Sequence, residues 1–210
     1  MKKQILFCLA FFNAVLYLGF TAGSSAPSQA SLLAAAFSEN SGTSAPLRQS
    51  SLGKVEISFP FVRQSGIASN QFAVWIEDTE GNFVKTLYVT NFTVRRGYQT
   101  RKEALRIWVK KSKRAAASKD KVDAVSGATP RTGNLRYTWN CDDQHGKSVS
   151  EGNYRFFVEG TLFWESSVIY SGTIAVGGPK ESNTPVKAEY SSPDPKNRNM
   201  IGAVTAVYIR

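Results

Sequence analysis

Between residues 54 and 59 polar and apolar side chains alternate (Lys-Val-Glu-Ile-Ser-Phe), the two-residue period of a strand with one buried face. Pro60 has no N–H to give to a ladder, so it stops that strand or marks it as an edge. Residues 71–77 (Gln-Phe-Ala-Val-Trp-Ile-Glu) and 83–89 (Phe-Val-Lys-Thr-Leu-Tyr-Val) are rich in strand formers. The Asp78-Thr79-Glu80-Gly81-Asn82 segment between them has turn chemistry, so the three segments together predict a hairpin. Phe83 and Thr86 need not share a face with Leu87, and alternation does not assign the buried side of the second strand. Further strands are expected at 135–139, 152–160, 167–176, 187–190 and 201–208, separated by an Asp-Gln-His-Gly turn, Gly177-Gly178-Pro179 and a Ser-Pro-Asp-Pro stretch. Seven or eight short strands with turns every eight to twelve residues indicate an antiparallel β-sandwich. There is no βαβ alternation, no Gly-rich phosphate loop after a strand and no internal repeat.

One segment breaks the β rhythm. Over about 101–117, Ala104, Leu105, Trp108 and Val109 recur at helical spacing, with Lys102, Arg106, Lys110, Lys113 and Arg114 on the other side. The pattern predicts one amphipathic α-helix inserted between strands and docked on a sheet. From Arg95 to Lys121 there are eleven basic residues against Glu103 and Asp120. A solvated helix face explains that charge; so does a surface for anionic lipid or for a phosphate.

The ends of the chain change the compartment. Met1-Lys2-Lys3 followed by an almost unbroken apolar run from 5 to 20, then small residues around Ser24 and Ser28-Gln29-Ala30, predicts a signal peptide over 1–30. An uncleaved N-terminal anchor is the alternative. Residues 31–52, mostly Ser, Ala, Gly and Pro, read as a flexible tether to a single domain over 53–210. Cys8 falls inside the apolar run, which leaves Cys141 as the one cysteine of the exported protein and allows no intramolecular disulfide. Beside Trp139 at a strand end, Cys141 reads as a small hydrophobe rather than a reactive thiol. The first thirty residues carry two lysines and no acid, so most of the +10 net charge stays with the domain. For an exported protein that charge points to anionic lipid, lipopolysaccharide or an acidic protein, not to nucleic acid.

No enzyme constellation is present in the sequence. His145 is the only histidine and sits in a turn, so a zinc site or a Ser-His-Asp relay lacks its parts. Asp142 and Asp143 could offer oxygens to a hard cation, but adjacent residues at a strand end diverge and the turn accounts for them.

The stretch Asp123-Ala124-Val125-Ser126-Gly127-Ala128-Thr129-Pro130 does not fit this ordinary picture. Its small side chains let another molecule approach the backbone, and its Gly and Pro forbid continuous helix. It resembles the covalent flavin attachment motif, Asp-x-x-Ser-Gly-Ala-Thr. That resemblance implies FMN esterified to Thr129 by a flavin transferase. Asp123 would then be the recognition carboxylate, Ser126, Gly127 and Ala128 the thin part of the loop, and Lys119, Lys121 and Arg131 the cations near the phosphate. Flavin-bearing subunits of quinone reductases more often continue with a residue other than Pro130.

Two broader resemblances bear on fold. Trp139-x-x-Asp142-Asp143-x-x-Gly146-x-x-Val149-x-x-Gly152-x-Tyr154 resembles a repeat of immunoglobulin-like domains, which implies a mainly β, immunoglobulin-like sandwich with Trp139 and Tyr154 in structural roles. Residues 73–78, 83–87, the Trp108 segment, 123–129, 139–154, Val158-Glu159 and Met200-Ile201-Gly202 together are similar to predicted periplasmic proteins of domain-of-unknown-function family 2271. Members of that family often occur with flavin-linked and PepSY-type membrane redox proteins, which implies such partners here. Two functions are expected: a non-catalytic binding or assembly module of the cell envelope, with its basic helix against an anionic membrane, or an extracytosolic electron carrier with FMN on Thr129.

Overall fold

The computed structural model describes residues 52–114, 125–179 and 185–210. The expected signal peptide, all of the expected tether except Leu52, residues 115–117 of the expected helix and Asp123 lie outside the described residues, as do the side chains of Lys113 and Arg114.

Among the described residues nine strands form two sheets. The smaller holds β5 (Gly133–Trp139), β1 (Lys54–Phe61) and β9 (Thr205–Ile209) in that order, all antiparallel. The larger runs β4 (Ser126–Gly127), β3 (Phe83–Thr90), β2 (Gln71–Asp78), β6 (Gly152–Phe163), β7 (Ser166–Val176) and β8 (Lys187–Tyr190). Apolar residues of both sheets form one buried cluster, including Val55, Ile57 and Phe59 from β1, Trp139 from β5, Phe72, Val74 and Ile76 from β2, and Phe156 and Val158 from β6. This is the expected mainly β architecture, a sandwich with few helices.

Pro60 neither stops β1 nor makes it an outer strand. β1 is central and continues to Phe61, but its ladder with β9 ends at Ser58; beyond it Pro60 takes part only through its carbonyl, which accepts from the Gly202 N–H at 2.9 Å. β9 begins at Thr205 rather than 201, and Ile201 makes only an isolated bridge to Phe61.

The outer face of the larger sheet is covered too. A π-helical turn (Thr93–Gly97), a one-turn α1 (Tyr98–Thr100) and α2 (Arg106–Arg114) follow β3. Leu105 and Trp108 bury against Ala73, Trp75, Val89 and Phe157, with the rings of Trp75 and Phe157 stacked at 5.0 Å. β2 therefore has both faces buried from Gln71 to Glu77, which is why its sequence is a run and not an alternation. The helix is shorter than the 101–117 expected. Leu105 takes φ 51°, a left-handed conformation that a helix interior does not accept, and residues 102–105 form turns.

β3 also shows why its buried side could not be assigned. Two register shifts against β2 leave Leu87 and Val84 as extra residues. With two bulges, Phe83 and Val89 reach the helix-side cluster and Thr86 accepts a hydrogen bond from Trp108 Nε1 (3.0 Å). Val84, Leu87 and Tyr88 pack on the inter-sheet core. The helix-facing spacing of β3 is thus three, not two.

Candidate functional site

The motif stretch closes one end of one edge of the sandwich. β4 pairs in parallel with the end of β3, Ser126 opposite Val89 and Gly127 opposite Thr90. The chain then leaves the larger sheet and, within the next few residues, enters β5 of the smaller one, where Gly133 lies opposite Phe61. Residues 128–132 are therefore a short bridge between sheets, tied at its far end by the Arg63 N–H, which donates to Thr132 Oγ1 at 2.9 Å.

Beneath the bridge lies an aromatic stack. Tyr88 sits over Phe72 at 5.0 Å and beside Tyr137 at 4.9 Å, and Phe59 and Phe61 continue the stack into the core. Burial pushes the hydroxyl pKa of Tyr88 upward, and that of Tyr137 further, with the neighbouring Tyr88 adding to the latter. Both phenols stay protonated and can donate, and the Tyr88 hydroxyl donates to the Ala128 carbonyl at 2.7 Å. A Cβ on Gly127 would stand 2.8 Å from the Tyr88 ring and 3.0 Å from its hydroxyl. The motif's glycine is required by this contact, since Tyr88 is held by its ring partners. Gly127→Ala is expected to lower stability by about 1–3 kcal/mol through overpacking. The urea midpoint measures it, and an unchanged midpoint would mean that the ribbon yields without strain.

Of the motif residues, Ser126 and Gly127 form β4 and Ala128 and Thr129 begin the bridge, while Asp123, Lys119 and Lys121 lie outside the described residues. Thr129 is half-buried, its hydroxyl makes no hydrogen bond to a described residue, and Arg131 two positions on is exposed.

Other candidate residues take structural places. Cys141 is fully buried, and burial, with Asp142 adding, pushes its thiol up to about 12, which suits packing and not nucleophilic chemistry. Asp142 pairs with Lys85 at 2.5 Å, and Asp143 accepts from the backbone N–H groups of His145 and Lys147. Trp139 is buried against Tyr154 at 5.0 Å and donates to the Asp142 carbonyl, the structural role its spacing implied. Among the described residues no cluster of three or more His, Cys, Asp or Glu has metal-binding proximity, and no helix is long and apolar enough to cross a membrane.

Two buried carboxylates escaped the sequence reading. Glu159 of β6 is 3 % exposed and caps α2, its oxygens accepting from the N–H groups of Ile107 (3.0 Å) and Trp108 (2.7 Å). Glu77 of β2 accepts from Trp75 Nε1 (2.9 Å) and pairs with Lys111 (2.7 Å), which also donates to the Gly81 carbonyl. Lys111 is thus a clamp of α2 and not part of its free basic face. The one available signal was a lone Glu159 inside the apolar run Phe156-Phe157-Val158-Glu159-Gly160.

A family model described as a predicted periplasmic protein, domain of unknown function 2271, matches residues 53–190. No curated protein and no solved structure gives a significant match. The matched region spans β1 to β8, including the motif bridge and the Trp139–Tyr154 unit. The chain belongs to this family of predicted periplasmic proteins.

Proposed function

We propose that the protein is an electron carrier of the cell envelope, with FMN held as a phosphoester on Thr129. The observation that carries this reading is the bridge itself: the motif residues from Ser126 to Thr129 sit on a thin, anchored connection at the rim, with the Thr129 hydroxyl left unpaired by the described residues. Attachment would join Thr129 Oγ1 to the FMN phosphorus, release the hydroxyl proton and expel the leaving group of the FMN donor. Thr129 would hold the cofactor, Arg131 would offset phosphate charge, and Asp123 would serve recognition by the transferase. The bound isoalloxazine supplies the redox chemistry; the domain supplies position. A flavin transferase and a PepSY-type membrane redox protein are the partners this reading requires.

Intact mass after co-expression with a periplasmic flavin transferase tests it. The wild type is expected to gain one FMN, Thr129→Ser to keep part of the gain, and Thr129→Ala to lose it. An unmodified wild type, or a gain that survives Thr129→Ala, rejects the proposal. The second reading, a non-catalytic binding or assembly module, is favoured by a patch of exposed apolar residues at one end of the sandwich.

A further inference from the structure

The strand ends Phe61, Gln71, Thr90, Gly127, Gly133 and Thr161 lie at one end of the molecule. Phe61 faces Gly133, Gln71 faces Thr161, Thr90 faces Gly127, and Thr90 Oγ1 donates to Gln71 Oε1 at 2.6 Å. Thr129 is therefore at this end, and so is a cluster of apolar side chains turned to solvent. Ile67 is 80 % exposed, Trp164 51 % and Phe92 41 %. Phe92 and Trp164 flank Arg101, whose guanidinium carbon lies 5.9 Å from the Phe92 ring centre and 5.7 Å from that of Trp164, while Ile67 precedes Ala68, whose carbonyl accepts from Arg101 Nη2.

The cluster is held firmly. The Ala68 carbonyl accepts from both the Trp164 N–H (2.9 Å) and Arg101 Nη2 (2.8 Å), which ties the Ile67 loop, the β6–β7 turn and the segment before α2 together. The Gln64 N–H donates to Asn70 Oδ1, and Asn70 Nδ2 returns a bond to the Gln64 carbonyl. Of the six described non-glycine residues with positive φ, five (Ala68, Asn70, Leu105, Trp164 and Asn197) are at this end. Left-handed non-glycine residues such as Ala68, Leu105 and Trp164 persist only where the surrounding structure over-determines them.

Charge states what covers the patch. On the segments that form this end, the exposed charged residues include the basic Arg63, Arg95, Lys102, Arg106, Arg131 and Lys196 against the acids Glu165 and Asp194. A cleft of about 720 Å³ beside Trp164 has both signs on its walls, Arg106 and Lys196 with Glu103, Glu165 and Asp194, and Lys196 Nζ lies 5.1 Å from the Phe163 ring centre. An exposed Trp and Phe ringed by cations suit the boundary between acyl chains and anionic headgroups, where aromatic rings settle and Lys and Arg meet phosphates.

We propose that the end of the sandwich bearing Ile67, Phe92 and Trp164 around Arg101 docks on an anionic lipid surface. This docking is independent of flavin at Thr129, and it moves the membrane contact from the α2 face expected from sequence to the strand ends. Only Arg106 at the start of that helix takes part.

The experiment uses the protein recovered from the periplasm of an exporting host, with sedimentation on vesicles of phosphatidylcholine alone or with one third phosphatidylglycerol. Wild type is expected to bind the anionic vesicles at least tenfold better than the neutral ones, and less well as salt rises. The variant Ile67→Ser/Phe92→Ser/Trp164→Ser is expected to lose at least tenfold in binding to anionic vesicles. Ile67→Ser alone, at a site open enough to leave folding intact, is expected to lose a smaller part. Each variant keeps the N-terminus of the wild type, so any anchor there cancels in the comparison. Equal binding by the triple variant with a native circular dichroism spectrum overturns the proposal. So does a wild type that ignores both vesicles, an outcome that assigns the patch to a protein partner.

Discussion

Glu159→Ala is expected to destabilise the fold by about 3 kcal/mol or more, with α2 the element that loosens first. Two backbone donors at the start of the helix, Ile107 and Trp108, lose their Glu159 acceptors, and each buried donor left without one costs about 1–3 kcal/mol. The side chain is 3 % exposed, so water does not readily replace it. Leu105 donates to Thr161 Oγ1 at 3.2 Å and would retain that bond, which leaves one of the three ties between β6 and the helix start. Urea unfolding measures the loss, and amide exchange at Ile107 and Trp108 locates it. A loss below about 1 kcal/mol would mean that the helix is held by Leu105 and Trp108 packing alone.

The same group gives a pH dependence of known sign. Burial, opposed by the Trp108 and Ile107 hydrogen bonds and by Arg106, pushes the Glu159 carboxyl up to about 7, above its value near 4.5 in an unfolded chain. The folded state therefore holds the proton more tightly between those values, and stability contributed by this group is complete below about pH 4.5 and declines toward pH 7. Carboxyls with lowered values, Glu56 through its Lys54 bond and Glu189 through its Lys187 bond, act at lower pH and in the opposite direction. Glu159→Gln should flatten the decline between pH 5 and 7, and should cost less than the alanine change because one acceptor oxygen remains. A slope that survives in Glu159→Gln would assign it to other groups.

The strands were legible where local periodicity and turn chemistry agree, as in β1, the β2–β3 hairpin and the β5–β6 unit around Trp139. They were not where a distant contact decides. The two bulges of β3 put Phe83 and Val89 on the helix side at a spacing that mimics neither strand nor helix. The start of α2 is set by Glu159, about fifty positions away, and not by a local cap, so the amphipathic pattern overran at its N-terminal end. The motif was visible as a loop with small residues, but the reason for its glycine, the Tyr88 ring, was not. The apolar end was invisible altogether, since Ile67, Phe92 and Trp164 are unremarkable singly and acquire meaning only around Arg101.

Phe72→Ala is expected to be more damaging than any change on the surface, at about 3–5 kcal/mol for a buried ring removed without collapse of the site. Phe72 is fully buried and from its place on β2 touches rings of three other strands: Phe59 and Phe61 of β1, Tyr88 of β3 and Tyr137 of β5. It is thus the joint between the two sheets at the end that bears Thr129. Loss of the ring removes the support on which Tyr88 stacks, and Tyr88 is what holds the Ala128 carbonyl and presses on Gly127. The variant should therefore show faster amide exchange and proteolysis across 126–132 in addition to a lower urea midpoint. Phe72→Leu, which keeps most of the volume, should cost less than half as much and leave the bridge protected. Should Phe72→Ala lower the midpoint while 126–132 keeps its protection, the bridge is held by its own pairing to β3 and the aromatic stack serves the core alone. The expected coupling means that the position of Thr129, and of any group carried on it, is set by the packing of the two sheets and not by the loop.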